Sequence, residues 1–305
     1  MSEKSHKKAG RIAIPFLVTV FISLIIIGGI AFYIYLRIRP GDKKPKEPPT
    51  RTPNVVLSPE DNHTVLFIYD DQSSGRASTT FVLMRSVPFE AKKILFVGIP
   101  SNSICYSESK KAQISLKDEY EHGGAPAAVE FVNEALSIDF DKYMVLDHDS
   151  FKYICDINGS VTIPVDIPLA SFEGDGSSES LDSELVIKYL TYNKFNGGEP
   201  ERAYKAAYVA SEIVKGIGGD VLSQNIDTYY ASLSSRAKLT NITINDYNKK
   251  KSAIKYSFGS ISPTSNHTLA TWLTLDGTVS GNDFLPSENF VSSSLKDYFN
   301  DGDND

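Results

Sequence analysis

The feature that most constrains this chain is the run Ile12 to Leu36, "IAIPFLVTVFISLIIIGGIAFYIYL", 25 residues without a charge. At about 1.5 Å of rise per helical residue it can cross a hydrocarbon core roughly 30 Å thick. A cleaved signal peptide would have an apolar region of only about 7 to 15 residues followed by a small-residue cleavage site. The run therefore predicts a single uncleaved transmembrane helix over 12–36, behind a cytoplasmic tail of residues 1–11. Basic residues flank both ends, Lys4, Lys7, Lys8 and Arg11 before it and Arg37, Arg39, Lys43, Lys44 and Lys46 after it, so the positive-inside rule does not set the orientation. A short tail inside and the bulk of the chain outside is the simpler insertion, because long domains translocate largely regardless of charge.

Beyond the anchor, residues 37–62 carry Pro40, Pro45, Pro48, Pro49, Pro53 and Pro59 among charges, the composition of an extended stalk. A folded domain is expected over 63–300, followed by the acidic tail 301–305. Nine of the 31 Lys/Arg and three of the 38 Asp/Glu fall within the first 50 residues, leaving 22 basic against 35 acidic side chains in the remainder. A domain this acidic repels polyanions, which excludes nucleic acid as a partner and gives no support to transcriptional control. An anionic ligand would need a local basic pocket.

Apolar runs bounded by turn residues predict strands near Thr64–Tyr69, Thr79–Met84, Lys93–Ile99, Tyr143–Leu146 and Val161–Val165. Helical patterns fall near Pro126–Leu136, Ser150–Ile157, Leu181–Leu190 and Pro200–Ile217, and continue to about Arg236. In the Pro200–Ile217 stretch Ala203, Ala206, Ala207, Ala210, Ile213, Val214 and Ile217 form one apolar stripe, and Glu199, Pro200 and Glu201 suit a helix start. Strands near Ile254–Ile261 and Leu269–Leu275 and a helix near Ser287–Phe299 complete the reading. Strands interleaved with helices imply an α/β fold, layered α/β/α.

Cys105 and Cys155 would both lie outside the membrane; their spacing is compatible either with a disulfide or with two buried thiols. The five histidines are scattered, without metal-type spacing. The Asn-X-Ser/Thr triplets at Asn62, Asn158, Asn241 and Asn266 carry little information without a secretory context. There is no Gly-x-Ser-x-Gly elbow and no Walker-type phosphate loop. Buried strands of α/β proteins often deliver ligand-contacting groups at their carboxyl ends, and "PSNS" after Ile99 occupies such a place.

Five segments in order resemble the LytR-CpsA-Psr (LCP) family of cell-envelope proteins. "VLFIYDD" is similar to its first strand ending in Asp, "GRASTTFVLM" to its Arg-Ser-Asp-Thr turn and second strand, and "FVGIPSNS" to its Ile-Pro-Arg-Asp-Thr strand end. The stretch from Asp118 to Val165 resembles its Gly-Gly turn, helix and Asp-x-x-Gly-x-Val turn, and "EPERAYKA" its Asp-x-Gly-Arg-x-x-Arg-Gln segment. The resemblance implies an LCP-like extracytoplasmic domain and transfer of a phosphoglycopolymer from a polyprenyl-pyrophosphate carrier to peptidoglycan, usually with Mg²⁺. Arginine forks would hold the pyrophosphate, and carboxylates would hold the metal.

Residue by residue, the resemblance places Asp70 or Asp71 at the first metal-binding carboxylate and Arg76 at the arginine of the following turn. Ser78 falls where the second carboxylate belongs, which weakens a two-carboxylate Mg²⁺ site. Ser101 and Asn102 replace an Arg and an Asp, and Thr191 and Asn193 in "YLTYNK" replace two arginines. Glu199 takes the Asp position of the later segment, Arg202 its first Arg, Lys205 the second and Ala206 the Gln. Glu199 also has a plain role as a helix-start residue, and Asp70 and Asp71 one as part of a solvated turn. Truncating a charge-assisted contact costs on the order of 1.5 to 3 kcal/mol, so three such losses would remove roughly three to six decades of rate.

The leading expectation is a membrane-anchored LCP-like protein that binds polyprenyl-phosphate-linked glycopolymer or peptidoglycan, or partners active relatives, with weak or no catalysis. An active phosphotransferase holding pyrophosphate with Arg76, Arg85, Arg202 and Lys205 is the alternative, and a ligand-free structural envelope protein a third.

Overall fold

In the computed structural model the chain divides into two units, Met1–Asn54 and Val55–Asp305. The structure describes residues 56–71, 78–88, 93–107, 110–217, 219–259 and 270–299. The expected transmembrane helix 12–36, the first part of the expected stalk, Arg76 and the acidic tail lie outside the described residues. Among the described residues no helix is long and apolar enough to cross a membrane.

The chain begins its regular structure with β1 (His63–Asp71), β2 (Ser78–Val87) and β3 (Lys93–Ile99), then a small hairpin of β4 (Ile104–Ser107) and β5 (Ala112–Ser115) leading into α1 (Leu116–Leu136). Next come β6 (Tyr143–Leu146), α2 (His148–Asn158), the hairpin β7 (Val161–Pro164) and β8 (Ser178–Leu181), and three helices, α3 (Ser183–Leu190), α4 (Gly198–Ile217) and α5 (Gly219–Arg236). The remainder runs β9 (Leu239–Thr240), α6 (Ile244–Gly259), β10 (Ala270–Thr274), the hairpin β11 (Gly277–Ser280) and β12 (Asp283–Pro286), α7 (Phe290–Ser294) and α8 (Lys296–Phe299).

Six strands form the central sheet in the order β10-β3-β2-β1-β6-β9. β1 runs antiparallel to β2 and β2 antiparallel to β3, whereas β6 is parallel to β1 and β10 to β3. The carboxyl ends of β1, β3, β6 and β10 therefore share one end of the sheet, with the start of β2 beside them.

Alternating side chains of the buried strands feed two cores, as a period of two requires. Leu66, Ile68, Phe81, Leu83, Leu95 and Val97 pack on one face against Ala125, Ala128, Val129 and Val132 of α1. Val82, Ile94 and Phe96 face the other way, where Val186 and Tyr189 of α3 and Ala206, Ala207, Val209 and Ile213 of α4 cover them. Helices thus lie on both faces of a mixed sheet. Gly98 fixes the closest approach: a Cβ there would overlap the backbone carbonyl of Ala203 in α4, so only glycine lets the helix settle directly on β3.

The helix expected over Pro126–Leu136 is present as the part of α1 beyond Gly124, and two other expectations are corrected. Ahead of it α1 has a further segment from Leu116, capped by the Ser115 hydroxyl, which accepts from the Asp118 amide at 3.1 Å. Its Gly-Gly turn survives as a kink at Gly124, with φ of 68°, a conformation suited to glycine. The strand expected at Ile254–Ile261 is instead the end of α6 as far as Gly259. That helix opens with a reciprocal cap between Thr243 and Asp246 and packs on α5 through stacked rings of Tyr230 and Tyr247, 4.0 Å between centroids. The final helix is broken at Leu295, which is fully buried between α7 and α8.

Both cysteines are free. Cys155 sits in the core under α4, where burial pushes its thiol up to about 12, and Cys105 is half-buried on β4 beside the other core.

Candidate functional site

The carboxyl end of the sheet gathers Asp70, Asp71, Ser78, Ser101 and Arg202 of the expected site. Asp70 and Asp71 end β1 and are both buried. Being adjacent in a strand, they point to opposite faces. Asp70 turns toward α1, where the Tyr120 hydroxyl donates to its Oδ2 at 2.9 Å and the Lys238 ammonium lies 2.8 Å from the same oxygen. Asp71 turns toward α2: the Tyr69 hydroxyl donates to its Oδ2 at 3.3 Å and His148 Nδ1 stands 3.8 Å away. The other ring nitrogen of His148 is 3.9 Å from Glu184. Burial and the neighbouring carboxylates push the Tyr69 and Tyr120 hydroxyls far up, so both remain donors.

Lys238 owes its place to topology. Leu239 pairs with Val145 where β9 meets β6, and β6 lies directly beside β1, so the residue preceding β9 arrives at the carboxyl end of both strands. The Asp147 carboxyl caps α2 at the same end. Its burial opposes ionisation, but hydrogen bonds from Ser150 and the nearby Lys238 charge hold its pKa below the ordinary range.

Arg202, on the first turns of α4, reaches the start of β2. Its Nε donates to Glu199 Oε1 at 2.7 Å and its Nη2 to Glu199 Oε2 at 2.6 Å. Nη2 also donates to the Thr79 carbonyl at 2.8 Å, and Nη1 donates to the hydroxyls of Ser78, at 3.3 Å, and of Thr80. A guanidinium has five N–H donors, and here five bonds to the protein account for them. The Ser101 hydroxyl closes the cluster by donating to Glu199 Oε2 at 2.7 Å. Burial of Glu199 works against ionisation, but the Arg202 fork and Ser101 outweigh it and hold the carboxyl below the usual glutamate range. Glu199 is thus both a first-turn acid of α4 and the counter-ion of Arg202.

Other expected positions fall elsewhere. Arg85 pairs in register with Thr64 while Ser78 pairs with Asp71. Seven residue steps from Ser78 put Arg85 about 23 Å away, at the opposite end of the sheet, at about 3.3 Å per residue. There it donates to the Tyr298 carbonyl at 2.9 Å and the Thr64 hydroxyl at 3.1 Å, and lines a separate cavity of about 430 Å³ with Ser137, Glu288 and Phe299. A pocket joining Arg85 to Asp70 or Asp71 is therefore excluded by strand direction. Lys205, one turn beyond Arg202, is paired with Asp166, which also accepts from Tyr189 at 3.1 Å. Thr191 bonds back to the Ile187 carbonyl at 2.9 Å as the end of α3, Asn193 is exposed, and Ala206 is core. Asn102 binds the β11–β12 hairpin, donating from its side chain to the Asn282 carbonyl and accepting from the Phe284 amide at 3.0 Å.

Mg²⁺ prefers near-octahedral oxygen coordination at about 2.0–2.1 Å, from one or two carboxylates plus phosphate and water. Asp70 and Asp71 diverge, Ser78 supplies a hydroxyl engaged by Arg202, and the Asp70 oxygen already holds an ammonium and a phenol. Among the described residues no group of three or more His, Cys, Asp or Glu side chains could hold a metal ion. Among the described residues the site lacks the pair of converging carboxylates that the resemblance implies for Mg²⁺.

The LytR_cpsA_psr family profile matches residues 40–264. The chain belongs to that family. Solved structures agree on the fold. Bacillus subtilis TagV is 18% identical, with 78% of this chain and 97% of that one covered and a TM-score of 0.60. A structure described as TagT bound to LI-WTA is 17% identical over 81% and 93%, with a TM-score of 0.59. A transcriptional regulator of Enterococcus faecalis is 16% identical over 79% and 88%, with a TM-score of 0.61. A search of curated protein sequences gives no match.

Sequence reasoning missed Tyr120, His148 and Lys238. No motif marks them. The signal for Arg85 was present, since an antiparallel strand cannot deliver both of its ends to one site.

Proposed function

We propose that this LCP-family chain is a membrane-anchored, extracytoplasmic protein of the bacterial cell envelope. It binds polyprenyl-(pyro)phosphate-linked glycopolymer, acts beside active relatives or peptidoglycan, and catalyses transfer weakly or not at all. The observation that carries this reading is the saturation of Arg202: its five donors are engaged by Glu199, Ser78, Thr79 and Thr80. A pyrophosphate could recruit that fork only by breaking a buried ion pair, at a cost of about 3–5 kcal/mol. Ser101 stands where the resemblance places another arginine, and Lys205 is neutralised by Asp166. Oriented cations that stabilise a leaving phosphate are thereby reduced, while hydroxyls and Lys238 still offer ligand contacts at the end of the sheet. The uncharged run 12–36 and the proline-rich segment after it support placement of the domain on the outer side of the cell membrane.

The test is a transfer assay with lipid-linked glycopolymer and peptidoglycan acceptor, run beside a binding measurement on the same protein. Binding with little transfer is expected. Turnover comparable to an active family member would refute weak catalysis, and absence of binding would refute the ligand assignment.

A further inference from the structure

We propose that the site carries its own cation: the Lys238 ammonium occupies the position beside Asp70 that a divalent metal would need, and, if the ligand is the polyprenyl phosphate of the reading above, contacts its phosphate directly. Lys238 Nζ is 2.8 Å from Asp70 Oδ2, and the Tyr120 hydroxyl donates to that same oxygen. The Asp70 side chain is only 6% exposed, so a hydrated Mg²⁺ would have to displace the ammonium from a buried carboxylate. No second carboxylate comes to its aid, because Asp71 faces α2 and Ser78 replaces an acid with a hydroxyl.

The Lys238 side chain is itself 46% exposed. It therefore approaches Asp70 from the solvent side, with one donor on the carboxylate and two more on an ammonium that carries three. A phosphate monoester or diester arriving at the end of the sheet meets a positive charge already in place. Asp70 positions that ammonium, and Tyr120 positions Asp70. The same two roles in a metal site, holding the cation and neutralising phosphate, are here performed by a lysine supplied by the approach to β9. A single ammonium holds an anion as a point charge and lacks the multidentate orientation of a metal, which suits binding better than transfer.

Two measurements on the full chain in detergent micelles test this. In the first, Mn²⁺ binding is read by electron paramagnetic resonance for the wild type and for Asp70→Asn. Equal Mn²⁺ uptake is expected; Mn²⁺ held by the wild type and lost in Asp70→Asn would overturn the built-in cation. In the second, a polyprenyl phosphate in mixed micelles is titrated in EDTA and in Mg²⁺. Affinity is expected to be the same in both, to fall about tenfold in Lys238→Met, the worth of one charge-assisted contact, and to be retained in Lys238→Arg. Binding that requires Mg²⁺, or a Lys238→Met variant that is folded and binds as the wild type does, would overturn it. If the wild type binds no polyprenyl phosphate in either buffer, the proposed ligand falls, and the Mn²⁺ comparison alone decides for or against the built-in cation.

Discussion

Replacing Glu199 by alanine removes two short bonds from the Arg202 guanidinium, at 2.7 and 2.6 Å, and the acceptor of the Ser101 hydroxyl. Arg202 keeps its bonds to Ser78, Thr80 and the Thr79 carbonyl, but its charge, 7% exposed, loses its counter-ion. Leaving one member of a buried pair uncompensated costs about 3–5 kcal/mol. Glu199 is 31% exposed, so water can enter where its carboxylate stood, which places the cost near the lower bound of about 3 kcal/mol. For a domain of this size that is a fall in Tm of about 6 to 12 °C. The pH dependence follows from the depressed pKa of Glu199. Its contribution is complete above the unfolded value of about 4.3 and is lost as pH falls through the lower folded value. Thermal unfolding followed by near-ultraviolet circular dichroism should show a constant gap between wild type and Glu199→Ala from pH 7 to about pH 5, closing below about pH 4. A gap under about 1 kcal/mol at pH 7, or one that survives acidification, would refute the account of Arg202 as an internally neutralised residue.

Two further substitutions probe the frame. Gly98→Ala drives a methyl into the Ala203 carbonyl and should cost about 1–3 kcal/mol in urea unfolding while lifting the α4 start, with Arg202, away from β2; a neutral result would mean that α4 does not rest on β3. The Cys155 thiol, pushed up to about 12 by burial, stays protonated at pH 8 and should react with a thiol reagent only at the rate of unfolding, whereas half-buried Cys105 reacts first; equal rates would contradict the placement of Cys155 in the core.

Strand β3 was legible to the residue because Ile94–Ile99 is a continuous apolar run between Lys93 and Pro100, and buried runs of this kind have few alternatives. The α6 segment was not, since Ile254, Tyr256 and Phe258 alternate like a strand and the deciding contacts, Thr243 with Asp246 and Tyr247 with Tyr230, lie upstream or on another helix. Short hairpins such as β11–β12 leave little pattern in so few residues. At the site, the family resemblance named Asp70 or Asp71, Ser78, Ser101 and Arg202 as candidates, each at a strand end or helix start, and the sheet brings them to one end. What it could not foretell is who partners whom. Lys238 reaches Asp70 through a two-residue strand, and Glu199 claims Arg202 through side-chain geometry that spacing alone does not fix.

The proposed site, with a saturated Arg202 and a lysine in the metal's place, binds without efficient transfer. Its most direct test is single-turnover transfer of a lipid-linked glycopolymer to peptidoglycan by the full chain, in Mg²⁺ and in EDTA, with bound substrate measured in the same samples. Substrate bound equally in both buffers, with little or no product in either, is expected. Mg²⁺-dependent product formed at the rate of an active family member would contradict it.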